Sequence, residues 1–265
     1  MLFRSLPSRL ASLAVRPPFT TCLVARQEEI AGVESRSPPS RIKLWHVLIE
    51  LAKSGSQIAL QTISGESTFE ERPTSPSSVD HDDWLPELLI SPPRREQEWL
   101  FRELRLATHS DVCGKVVSQS DATAVFAGLW LLHGDADASH RQSQSIEDEG
   151  RHRCGNFWHA IMHRQEPDYG NSKYWFRRVG QHPIFPELAR RADELTKADG
   201  SEAAWHWRRN LGLPDRWDPF AFVDWCESAA SDGGSALASL ARRIQFVEMR
   251  LLLRASFEDA VAAGR

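Results

Sequence analysis

Several features are missing from this chain of 265 residues, and each absence removes a class of function. There is no apolar run of the ~18 residues that a membrane-spanning helix needs. The four cysteines, Cys22, Cys113, Cys154 and Cys226, form no CxxC pair. That argues against a zinc knuckle and supplies no disulfide framework, so a reducing compartment is the simplest reading. No glycine-rich nucleotide loop, nucleophile elbow or Cys/His pair in recognisable context is present, which leaves kinases, serine hydrolases and thiol enzymes without support. Neither sign of charge dominates. A net charge of -4 creates no field that would recommend nucleic acid or an acidic membrane as a partner. Convincing period-two strands and internal repeats are absent as well.

What the chain does contain is ordinary in bulk and unusual in detail. Its hydrophobic fraction of 41% and charged fraction of 26% belong to a globular protein with enough length for a real core. Ten tryptophans supply large anchors for that core, or stacking surfaces for a ligand. Residues 1–27 carry Arg4, Arg9, Arg16 and Arg26, several serines and no acid. This composition resembles an organelle transit peptide, although a disordered tail or an early start site explains it equally well. Arg16, Pro17 and Pro18 interrupt the apolar stretch and make a poor secretory signal.

Helical periodicity organises the remainder. Ile42, Trp45, Ile49 and Ala52 recur at helical spacing over 41–53, with Ser40 as cap and Gly55 as stop. The Ser-, Thr-, Pro- and acid-rich segment 64–83 reads as a flexible loop. Ser91-Pro92 opens a helix running to Leu106. A single helix is expected from 120 to 140 on the stripe Val125, Leu129, Leu132 and Ala136, weakened at Gly134. Asn156 caps a helix over 158–164 and Asn171 another to Val179, with Gly180 as its end. Helices follow over 186–198 and from Asp218-Pro219. Ser235 caps a final long helix with the stripe Leu237, Leu240, Ile244, Val247 and Leu251. The expected fold is all-α: an irregular multi-helix single domain over 41–265, after a disordered leader at 1–40.

Candidate chemistry concentrates between Leu129 and Pro183. Six of the ten histidines, His133, His140, His152, His159, His163 and His182, lie there. His159 and His163 are four residues apart, so both imidazoles leave one face of a helix. On the expected helix 120–140, His133, Asp137 and His140 also share a face. Two such faces meeting in a bundle could hold a divalent transition metal such as zinc through His159, His163, His140 and Asp137. The HxxxH spacing departs from the zinc-protease motif, because Ala160 stands where the catalytic Glu would be.

Between Arg151 and His182 six Lys/Arg face two acids. Arg164, Lys173, Arg177 and Arg178 therefore offer an anion pocket, although Glu166 and Asp168 are on hand to pair with them. Trp158 and Tyr174 could wall such a pocket, or serve as core anchors.

The run Phe157-Trp158-His159-Ala160-Ile161-Met162-His163-Arg164, continuing through Glu166-Pro167-Asp168 and Asn171-Ser172-Lys173-Tyr174-Trp175-Phe176-Arg177-Arg178 to Gly180 and His182-Pro183, resembles the core of an uncharacterised family of bacterial proteins. The segment with His133, Asp137, Ser139 and His140 resembles it too. The likeness covers about 60 residues of the chain. It brings no activity with it, and implies a bacterial, cytoplasmic protein.

Three functions fit these residues. The first is a metal-dependent hydrolase of a small anionic substrate, with Glu166 as general base and Arg164, Arg177, Arg178, Lys173, Trp158 and Tyr174 holding the substrate. The second is a non-catalytic binder of a small anionic ligand. In the third, the same polar cluster only fixes helix packing. None calls for nucleic acid or a membrane.

Overall fold

The computed structural model describes residues 85–90 and 98–262, all within one compact unit. The expected leader, the helix at 41–53, the loop at 64–83 and the helix start at Ser91-Pro92 lie outside these residues. Among the described residues every regular element is a helix. In chain order they are α1 (Glu98–Leu106), α2 (His109–Cys113), α3 (Gln119–Leu132), α4 (Ala136–Ser145), α5 (Cys154–Gln165), α6 (Tyr169–Val179), α7 (Phe185–Asp199), α8 (Glu202–Leu211), α9 (Pro219–Ala230) and α10 (Ala236–Val261).

α3 is the axis of the fold. From Asp121 to Leu131 every residue is buried, as befits a helix that is small or apolar around its whole circumference. It packs on α10, α4 and α5, while α5 packs most extensively on α6. The closest approach is at Gly128, where a Cβ would lie 2.4 Å from the Trp158 indole. Only the missing side chain lets α5 sit this near to α3. Trp158 fills that space completely, and its Nε1 donates to Ser256 Oγ on α10 at 3.1 Å. One glycine and one tryptophan thus tie three helices together.

Helix ends follow local chemistry. Ser235 caps α10 by accepting from the Ala238 N–H, and Asp218 caps α9 with Pro219 in the first turn. Gly180 ends α6 at φ +66° and Gly200 ends α7 at φ +70°. Asn171 does not cap α6, because Asp168 performs that role and accepts from the Asn171 N–H at 3.1 Å. Nor does Asn156 cap α5. It lies inside the helix and makes two bonds with Asp148, donating from Nδ2 and accepting at Oδ1 from the Asp148 N–H.

The expected continuous helix from 120 to 140 is two helices. His133 ends α3, Gly134 takes φ +87°, and Asp135 recaps the chain by accepting from the Ala138 N–H at 2.9 Å. Asp135 makes the break favourable as well as permitted: it supplies an acceptor to an amide that would otherwise begin α4 unbonded. The break redirects α4, so His133 no longer shares a face with Asp137 and His140.

α10 buries more than its expected stripe. Leu240 and Ile244 are in the core, but so are Gln245, Glu248, Ser256 and Asp259, while Leu237, Val247 and Leu251 are half-buried. Each buried polar group meets a partner far away in sequence. Glu248 pairs with Arg164 on α5, with both side chains fully enclosed. Asp259 accepts from His152 Nδ1 at 2.6 Å. Gln245 Nε2 donates to the Glu87 carbonyl at 2.9 Å, which docks the segment 85–90.

Candidate metal centre

α5 brings His159 and His163 to one side, one turn apart, with ring centroids 4.8 Å apart and planes only 19° from parallel. From the redirected α4, His140 meets both edge-on, at 4.7 Å from His159 and 5.4 Å from His163. The three rings offer one nitrogen each within 4.8 Å of one another. Trp175 of α6 stacks on His159 from the other side at 4.0 Å. The cluster is therefore built from α4, α5 and α6, with His159 and His163 buried and His140 half-buried.

The electrostatics favour neutral imidazoles. Burial pulls His159 down to about 3, with His163 and His140 adding repulsion between the would-be cations. Burial also lowers His163, against the opposing pull of Glu166. A neutral imidazole is the metal-binding form, so no proton has to be expelled from His159 near neutral pH.

Hydrogen bonding separates the histidines. His163 Nδ1 donates to Glu166 Oε2 at 3.0 Å, and Asn171 Nδ2 donates to His163 Nε2 at 3.1 Å. These two bonds select the Nδ1–H tautomer and leave the Nε2 lone pair accepting from the Asn171 amide. By contrast, neither nitrogen of His159 has a hydrogen-bond partner, although the ring is only 2% exposed. An imidazole enclosed this way leaves a donor and an acceptor unsatisfied, at a cost of about 1–3 kcal/mol for each. A metal ion bound by His159 would engage one of the two. Tetrahedral coordination at metal–nitrogen bonds of about 2.1 Å needs edges of about 3.4 Å, so loading would draw the three rings together.

The other expected site residues are scattered. Asp137 lies exposed on α4 and is not one of the three clustered groups. It stands three residues before His140 on the same helix, yet its side chain lies at the surface. Arg164 follows His163 on α5 but points into the core, where it pairs with Glu248 and lies over the Phe222 ring at 4.7 Å. Lys173 pairs with Asp224, and Arg178 with Glu147 and Asp148. Arg178 also donates to the Tyr174 hydroxyl at 2.8 Å. Arg177 is exposed, and Trp158 is a core anchor without exposed surface. Only Glu166 stands in contact with the trio, at its rim.

Trp175 and the Asn171 amide also belong to the site, although neither is among the site residues expected from the sequence. The sequence predicts Asn171 as a helix cap, and the structure instead turns its amide to His163. The helical spacing of four residues between Asn171 and Trp175 was the available signal, since it places both on the face of α6 that meets α5. No protein-family model, curated protein or solved structure matches the chain.

Proposed function

We propose that His140, His159 and His163 hold a divalent transition metal, zinc above all, and that the centre serves a metal-dependent hydrolase acting on a small anionic substrate. The observation that carries this reading is His159, buried with both ring nitrogens unpartnered beside two further histidines. Three histidine ligands leave a fourth position open, which is the pattern of catalytic rather than structural zinc. The chemistry such a metal, held by His140, His159 and His163, would supply is a water whose pKa is lowered toward 7.

In this reading Glu166 orients His163 through Nδ1, as carboxylates commonly do behind a metal-bound histidine, and this displaces its expected role as general base. Asn171 donates to the His163 lone pair that a metal would use. Trp175 fixes the plane of His159. The substrate anion would be held chiefly by the metal, because Arg164, Lys173 and Arg178 are already engaged with carboxylates.

That engagement also favours a second reading, in which the centre is metal-bound but non-catalytic and secures α4 against α5. Three buried, unpaired cysteines support a reducing compartment for either reading.

Elemental analysis of the purified protein tests the centre, with about one equivalent of transition metal expected and its loss in His140→Ala and His163→Ala. A metal-free preparation that takes up no zinc, cobalt or nickel on dialysis would remove the proposal. Turnover of phosphate or carboxylate esters by the loaded protein, abolished by chelation, separates the hydrolase from the non-catalytic centre.

A further inference from the structure

On the far side of α4 from the histidines lies a cavity of about 520 Å³ that the metal centre does not use. Ala138 and Gln142 line it, and they stand two residues either side of His140, on the opposite face of the helix. Leu104 of α1 and Phe126 and Trp130 of α3 supply apolar walls, while Arg105 and Arg141 supply cationic ones. The volume is in the range of small-molecule sites, about 300–1,000 Å³, and so is the mixture of aromatic walls with a few charged groups.

Two features indicate what would fill it. The walls are preformed: the Trp130 indole is stacked flat on Phe101 at 5.8 Å and 4°, and His109 is held by Gln119 at 2.8 Å. The charge is uncommitted: neither Arg105 nor Arg141 is in an ion pair among the described residues, although most other arginines around the fold are. Asp135 is the one acid in the lining, and the Ala138 N–H at the start of α4 occupies its Oδ1.

From this lining we infer that the cavity binds a small organic anion in which a flat apolar body carries a carboxylate or a phosphate monoester. The body would lie against Trp130, Phe126 and Leu104. The Arg105 and Arg141 guanidinium groups would receive the anionic oxygens, for which their planar forks are suited. Indole and guanidinium together reject both fully polar anions and neutral aromatics, each of which satisfies only half of the lining.

Calorimetric titration of the full-length protein at low ionic strength tests this, using 1-naphthoate, 1-naphthyl phosphate, inorganic phosphate and 1-naphthol as probes. Saturable binding of 1-naphthoate or 1-naphthyl phosphate is expected, with whichever binds tighter identifying the head group. Inorganic phosphate and 1-naphthol should bind at least tenfold more weakly. Arg105→Ala and Arg141→Ala each alter an exposed side chain, and each should weaken binding tenfold or more with an unchanged melting temperature. His140→Ala, which removes a metal ligand from the other face, should leave naphthoate binding in place. No saturable binding up to millimolar probe, or binding undiminished in the double arginine variant, overturns the inference. Binding lost with His140→Ala but retained without the arginines would place the ligand at the histidines instead, and overturns it too.

Discussion

At the scale of single residues the decisive group is His159. It is stacked on Trp175 and His163 yet hydrogen-bonded to nothing, so the metal-free protein retains it at a net cost. His159→Phe keeps an aromatic ring beside Trp175 and removes both unsatisfied nitrogens. This variant should bind no metal and should melt in chelator no lower than the parent. Stabilisation of the parent by added zinc should vanish in it. Thermal melts with and without chelator provide the measurement, and a chelated variant melting far below the parent would show that the imidazole has another partner. Asn171→Ala frees the His163 lone pair, so the same titration should show metal affinity equal to or above that of the parent.

The residue scale also shows how much of the site was legible. The spacing of His159 and His163 fixes their common face, because a helix has no other way to place residues four apart. The grouping of His133 with Asp137 and His140 needs an unbroken helix, and the break at 133–135 leaves only His140 of these three at the site. The sequence offers Arg164 to an anion pocket, whereas the structure buries it. Nothing near it in sequence announces Glu248, 84 residues away, which draws it into the core.

At the scale of elements, the packing of α5 against α3 and α10 determines whether the histidines are positioned at all. A Cβ at position 128 would overlap the Trp158 ring, so Gly128→Ala should destabilise the protein by about 1–3 kcal/mol through overpacking. Urea unfolding measures this, and a variant as stable as the parent would mean that α5 moves away freely. The enclosed Arg164–Glu248 pair joins the same helices. Arg164→Met leaves a carboxylate buried alone and should cost about 3–5 kcal/mol. Adding Glu248→Leu should restore most of that loss, because the penalty comes from the uncompensated charge.

Element boundaries were legible where one residue type decides the matter. Ser235, Asp218-Pro219, Gly180 and Gly200 all act at the helix ends where their chemistry predicts. The break at 133–135 was not. Gly134 alone reads as a weak point in a helix, and Asp135 reads as a polar residue on its surface. Only their combination, a left-handed glycine followed by a cap, ends one helix and begins another. The polar stripe of α10 escaped notice for a different reason. Gln245, Glu248, Ser256 and Asp259 look like a solvated face until the partners that bury them are known.

For the whole molecule, acid should be destabilising. His182 lies in the core, where its Nε2 approaches Cys154 Sγ at 3.6 Å and its Nδ1 accepts from the Ile184 N–H at 3.4 Å. Burial pulls this imidazole from its ordinary 6.5 down to about 4, with repulsion from His152 adding to the effect. The unfolded chain therefore takes up a proton near pH 6.5 that the folded chain refuses until about pH 4. Stability should fall as pH is lowered through that window, by roughly 2 kcal/mol at pH 5 from this group alone. His133, pulled by burial to about 4, acts with the same sign. Chemical denaturation between pH 7.5 and 4.5 measures the slope. His182→Gln should flatten it, and an unchanged slope would assign the acid sensitivity elsewhere.

The break between α3 and α4 has a thermodynamic consequence. It leaves α4 as a ten-residue segment with His140 on one face and the wall of an arginine-lined cavity on the other. A metal ion and an organic anion would thus press on opposite sides of one short rod. Linkage makes their mutual influence reciprocal: whatever factor the metal imposes on anion affinity, the anion imposes on metal affinity.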